Sequence, residues 1–155
     1  MQLEVSTQFE RKGEGADSPL ILVIEDHPAI RHVLTCILNL HGYRSVCTAN
    51  GQEALDWIEH ALDTQLYPEV ILLDLFMPVM DGTQFLANLR TRWRACVPFP
   101  ATILFTVDQQ DHGDLACTDT LQKPFHMSEL LEKLRLATSG QHTRKLAGSS
   151  KEKGV

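Results

Sequence analysis

The stretch VILLDLFMPVMDG, Val70 to Gly82, sets a carboxylate, Asp74, at the end of an aliphatic run and follows it with a proline and a glycine. An unbroken apolar run of this length suits a strand covered on both faces, and a charge where it stops marks the strand's end. Two other runs share this character: LILVI (residues 20–24), which stops at Glu25-Asp26, and TILF (102–105), which stops at Thr106. SVCTA (45–49) is a weaker strand candidate, and the short segment TLQ stops at Lys123-Pro124.

Helical periodicity fills the intervals. Ile30, Val33, Leu34, Ile37, Leu38 and His41 keep i, i+3, i+4, i+7 spacing, with Pro28 near the start and Gly42 past the end, the punctuation a helix prefers. Ala54, Leu55, Ile58 and Leu62 mark a second helix, Phe85, Leu86, Leu89 and Trp93 a third, and Met127, Leu130, Leu131 and Leu134 a last one. Strand alternating with helix implies parallel strands joined by right-handed crossovers, hence an open α/β sheet with its functional crevice at the carboxyl ends of the strands. No internal repeat competes with this reading.

Composition bounds the rest. A chain of 155 residues, 43% hydrophobic, supports one ordinary core. Residues 1–18 and 139–155 carry charge and glycine without sustained periodicity and read as flexible tails, which leaves 19–138 as the domain. A formal charge of -6 argues against direct nucleic-acid contact or an anionic membrane surface. Cys36, Cys47, Cys96 and Cys117 are scattered with no C-x-x-C pair, which indicates reduced thiols rather than zinc or disulfides. No leader-like or membrane-spanning run is present, so a cytoplasmic protein with no membrane insertion is expected.

The strand ends bring Glu25, Asp26, Asp74, Thr106 and Lys123 to one edge. Crowded carboxylates raise one another's pKa unless a cation lies between them. A small all-oxygen set with room for water and phosphate suits Mg²⁺, and a lysine and a hydroxyl beside it would serve a bound anion. None of the seven histidines, His27 and His112 among them, shows ligand spacing, and Trp57 and Trp93 read as packing residues.

The pieces ED, LLDLFMPVMDG, ILFT and LQKPF, in that order at successive strand ends, resemble the receiver domain of two-component response regulators from about Leu20 to Ala137. The resemblance implies a flavodoxin-like, doubly wound five-stranded parallel sheet of order 2-1-3-4-5 with helices on both faces. It implies Asp74 as phosphoacceptor, Asp26 as a direct Mg²⁺ ligand, Glu25 as an acid orienting the metal, and the backbone carbonyl of Phe76 completing the protein's share of the coordination. Thr106 would hold a phosphoryl oxygen, Lys123 would neutralise its charge, and Pro124 would follow a cis bond. The implied partners are a histidine kinase or histidine phosphotransfer protein and a downstream protein. The chain would take part in its own phosphotransfer and slow dephosphorylation rather than act as an enzyme.

Two features depart from that pattern. Thr120 stands where receivers usually have an aromatic residue, and Lys123 follows Thr106 by only 17 positions, more than a helical turn short of the usual interval. The polar, glycine-containing segment from Val107 to Asp119 has almost no apolar stripe, so the fourth helix is expected to be short or missing. A stand-alone receiver is the leading expectation. A phosphorylation-independent pseudo-receiver that only binds partners is the alternative. A haloacid-dehalogenase-type phosphohydrolase fits less of the sequence, because it needs a second Asp where Phe76 stands.

Overall fold

The computed structural model describes residues 17–107 and 119–148, with the backbone alone over 140–148. Strands β1 (Leu20–Ile24), β2 (Arg44–Thr48), β3 (Val70–Asp74), β4 (Ala101–Thr106) and β5 (Asp119–Gln122) form one five-stranded sheet of order β2-β1-β3-β4-β5. Every neighbouring pair is parallel. Among the described residues the helices are α1 (Pro28–Leu40), α2 (Gly51–Asp63), α3 (Gly82–Arg92) and α4 (Met127–Gly148). This is the expected flavodoxin-like arrangement.

Alternation along the strands divides the core in two. Leu22, Ile24, Ile71, Leu73 and Leu104 face one side and pack on Leu55 and Ile58 of α2 and Phe85 and Leu89 of α3. Ile21, Val23, Val70, Leu72, Ile103, Phe105 and Leu121 face the other and pack on Leu34 and Leu38 of α1 and Leu130 and Leu134 of α4. Each such aliphatic or aromatic side chain, once buried, contributes about 1.5–3 kcal/mol. The continuous apolar runs are therefore the direct cause of a sheet covered twice.

The helix ends follow local chemistry. Asn50 caps α2 by accepting from Glu53 N–H at 3.0 Å. Asp81 caps α3 through a reciprocal box, accepting from Gln84 N–H at 2.8 Å while Gln84 Oε1 accepts from Asp81 N–H at 3.1 Å. Trp93, expected inside the third helix, is instead its C-cap in an extended conformation. Its indole donates to Val97 O at 3.0 Å and meets Phe99 edge to face, so its packing role holds.

α4 runs through Gly148, into the stretch read as a tail. Apart from Gly140 and β-branched Thr143, residues 140–147 are mostly fair helix formers by intrinsic propensity. The segment between β4 and β5, where the fourth helix was expected to be short or missing, falls on residues 108–118, outside the described residues, as do His112, Cys117, the N-terminal extension before Asp17 and the tail beyond 148.

Candidate acidic site at the strand edge

β1 ends one residue before Glu25, whose N–H still bonds Thr48 O of β2 at 3.1 Å. This ladder bond keeps the Glu25 backbone in line with the sheet while the chain turns into α1. His27 is the N-cap of α1 and makes no side-chain cap bond. The Glu25-Asp26 carboxylates are thus not spent on capping that helix, although Glu25 Oε1 accepts from His27 N–H at 3.3 Å.

Asp74 closes β3, paired in register with Phe105 of β4. Its Oδ1 accepts from Phe76 N–H at 3.2 Å, which turns the carboxylate toward β1. The loop beyond is tightly folded: Gly82 N–H bonds Leu75 O at 2.9 Å, and Val79 lies at φ 69, a left-handed conformation unusual for a β-branched residue. A Cβ on Gly82 would meet Asp74 O and Leu75 Cα at 3.0 Å, so the close return of the chain requires glycine there.

Glu25, Asp26 and Asp74 each offer a carboxylate oxygen, and these atoms lie within 4.8 Å of one another. Glu25 and Asp74 are buried and Asp26 is exposed, so the cluster opens to solvent on the Asp26 side. Opposite ligands of an octahedral Mg²⁺ are about 4 Å apart. The all-oxygen donor set suits a hard divalent cation with open positions for water and one further oxygen ligand, and a side-chain adjustment of less than about 1 Å brings its span to that separation. The Phe76 side chain is exposed, and its backbone, two residues beyond Asp74, is tied to the cluster by the N–H bond to Asp74 Oδ1.

Lys123 reaches in from the end of β5. Its Nζ is 3.1 Å from Glu25 Oε2 and 3.5 Å from Asp74 Oδ2. Its backbone N–H donates to Thr106 O at 2.8 Å, tying it to the end of β4, and the Lys123-Pro124 bond is cis as expected. Thr106 is buried at that strand end. All five residues expected at the edge are there.

The electrostatics follow from crowding. Burial pushes the Glu25 carboxyl above its ordinary range and the Asp74 charge adds to this, while Lys123 pulls it back in part. Burial likewise raises Asp74, against the opposing influence of Lys123 and the Phe76 N–H. A bound cation would relieve both.

Arg31 was not singled out by the sequence. Its Nη1 donates to Glu25 O at 2.7 Å and Asp26 O at 2.9 Å, bracing the acidic turn from within α1. The available signal was an arginine one turn into the helix that follows an acidic pair. Among the described residues no other group of three or more His, Cys, Asp or Glu side chains converges in this way. The cysteines that are described are unpaired, and Cys47 is held by Thr35 Oγ1 at 3.0 Å with burial raising its thiol.

A family model described as the response regulator receiver domain matches residues 21–135. The DNA-binding dual master transcriptional regulator RpaA of Synechocystis sp. is 36% identical over 121 residues, covering 76% of this chain and 48% of its own length. Response regulator MprA of Mycolicibacterium vanbaalenii is 34% identical over 116 residues, covering 74% and 48%. The chain spans about half the length of the curated relatives it matches. The solved structure of the chemotaxis response regulator CheY4 of Vibrio cholerae aligns with a TM-score of 0.68 at 26% identity, over 77% of this chain and 98% of that one. Because the receiver match runs from the first strand well into the last helix, and the fold agrees with it, this chain belongs to the response regulator receiver domain family of two-component signalling.

Proposed function

We propose that this chain is a phosphoacceptor in a two-component phosphorelay, with Asp74 as the residue modified. The observation that supports this most is the meeting of Glu25, Asp26 and Asp74 within 4.8 Å, with Lys123 Nζ at 3.1 and 3.5 Å from two of them. A carboxylate is a poor nucleophile toward a phosphoanion unless the charge on both is quenched and the two are held in line.

Asp26, Asp74 and the Phe76 carbonyl would hold Mg²⁺ directly, and Glu25 would orient it. The metal, when bound, supplies a positive centre shared by the attacking carboxylate and the phosphoryl oxygens. The Phe76 N–H holds Asp74 Oδ1, which leaves Oδ2 to attack phosphorus. A new O–P bond forms as the P–N bond of a phosphohistidine breaks, and the electron pair leaves with the imidazole. Lys123 moves from the carboxylates to a phosphoryl oxygen, and the Thr106 hydroxyl donates to another.

The donor would be a histidine kinase or histidine phosphotransfer protein in the cytoplasm, and the result would pass to a downstream protein through surface contacts. RpaA is named as a DNA-binding regulator, so an output of that kind in a longer protein is one form the signal could take. The deciding experiment is intact-mass measurement with acetyl phosphate, with and without Mg²⁺. The wild-type protein gains the mass of one phosphoryl group only with the metal, and Asp74→Asn gains none. A wild-type protein that neither binds Mg²⁺ nor gains mass would be a phosphorylation-independent interaction module.

A further inference from the structure

Lys123 has a flexible four-carbon stem, and its side chain remains partly open to solvent, at 21% exposure. Its carboxylate partners account for attraction on one side. Phe105 supplies a surface on another: Lys123 Nζ stands over its ring, 6.0 Å from the centroid. That ring is fully buried between the sheet and helices α1 and α4. It stacks on Phe125, with centroids 5.1 Å apart and planes within 5°. Phe105 directly precedes Thr106, and Phe125 lies two residues beyond Lys123, so one aromatic pair links the segments carrying the hydroxyl and the ammonium.

A buried leucine or methionine at position 105 would satisfy the core. Only a ring presents the negative face that attracts a cation, and only a ring stacks flat on Phe125. We infer that Phe105, braced by Phe125, is a positioning residue for Lys123: it restricts the ammonium to the side of the crevice that contains Glu25, Asp74 and the incoming phosphoryl group. The inference rests on the phosphotransfer reading for its effect on rate, and on geometry alone for its effect on the lysine.

Two measurements test it on the full chain. In the first, the Lys123 ε-methylene protons are followed by NMR. They should resonate upfield through the ring current of Phe105, move toward the ordinary lysine position in Phe105→Met and Phe125→Leu, and stay in place in Phe125→Tyr, which keeps a ring at a partly exposed site. In the second, the rate of phosphorylation by acetyl phosphate at saturating Mg²⁺ should fall about two- to fivefold in Phe105→Met and Phe125→Leu, the size of a modest cation–π contact, and recover in Phe125→Tyr. An unshifted Lys123 signal in the wild type overturns the proposal. So does a rate loss in Phe105→Met that leaves the lysine signal unmoved, because the ring would then act through core packing. A wild-type protein that takes up no phosphoryl group refutes the phosphotransfer reading instead, and the NMR result still decides whether Phe105 holds the lysine.

Discussion

At the scale of single residues, two buried carboxylates face each other without enough positive charge to neutralise them. Both Glu25 and Asp74 are held above their ordinary range, chiefly by burial. Between that range and the raised values, the folded protein holds more protons than the unfolded chain, so stability falls as pH rises through the interval. The penalty is absent below about pH 4, where the unfolded carboxyls are also protonated, and complete once the folded groups have ionised. Asp74→Asn removes one of the two charges. We expect it to abolish phosphorylation, to raise the metal-free melting temperature at neutral pH by about 2–4 °C for each kcal/mol relieved, and to flatten the decline in stability as pH rises above the ordinary carboxylate range, with urea melts as the measurement. An Asn variant as pH-sensitive as the wild type would place the strain elsewhere. The metal can be tested separately. Asp26→Ala should weaken Mg²⁺ binding by about tenfold or more, whereas Lys123→Ala, which removes a cation 3.1 Å from Glu25, should leave it unchanged or tighter. Equal losses by calorimetry would contradict this assignment.

At the scale of elements, the loop from Asp74 to α3 is where backbone geometry is most constrained. Gly82→Ala would press a Cβ against Asp74 O and Leu75 Cα, both backbone atoms of the site, at 3.0 Å. We expect a loss of about 1–3 kcal/mol in stability, with Mg²⁺ affinity falling alongside it. Gly51→Ala meets Met80 Cγ and Sδ at 3.0 Å and Phe85 Cβ at 3.1 Å; the methionine can swing aside, so this change should cost less and spare metal binding. Chemical denaturation of the two variants distinguishes them, and an equal cost would mean that the loop yields as readily as a side chain. The elements themselves were largely legible. Leu20–Ile24 and Val70–Asp74 are apolar on both faces because helices cover both, and an uninterrupted aliphatic run records that directly. The end of α3 was misread at Trp93 because periodicity registers only that a side chain points inward, and an extended residue after the last turn can do so equally well. The bracing by Arg31 and the ring beneath Lys123 were not legible. The first is a local contact of Arg31 with the carbonyls of Glu25 and Asp26 that no periodicity marks, and the second depends on groups brought together across the sheet, which spacing along the chain does not encode.

At the scale of the whole molecule, the sheet divides the protein into two packed layers, and the residues at the acidic edge are not shared equally between them. Phe105 belongs to the layer containing α1 and α4, and Phe125 packs against that layer. Thr106 and Lys123 stand beside these rings, whereas α2 and α3 pack in the other layer, with ion pairs at 2.6 Å joining Glu59 of α2 to Arg92 of α3 and Asp63 of α2 to Arg94 just beyond α3. Such exposed pairs are worth little individually, but they tie α2 to the end of α3 and the segment after it, on the opposite face of the sheet from the rings. Displacement of Lys123 toward a phosphoryl group should therefore disturb the α1 and α4 side while leaving the α2 and α3 pair nearly rigid. Thr120 is exposed on β5 and offers no ring to relay the change, so among the described residues the Phe105–Phe125 stack is a mechanical link suited to the task. Hydrogen exchange with Mg²⁺ and beryllofluoride, a mimic of the aspartyl phosphate, checks this. Protection should change in the loop after Asp74, at the end of β4, and from Lys123 into the first turns of α4, with little change through α2. If α2 responds as strongly as α4, the two layers move as one body and the stack confers no direction on the signal.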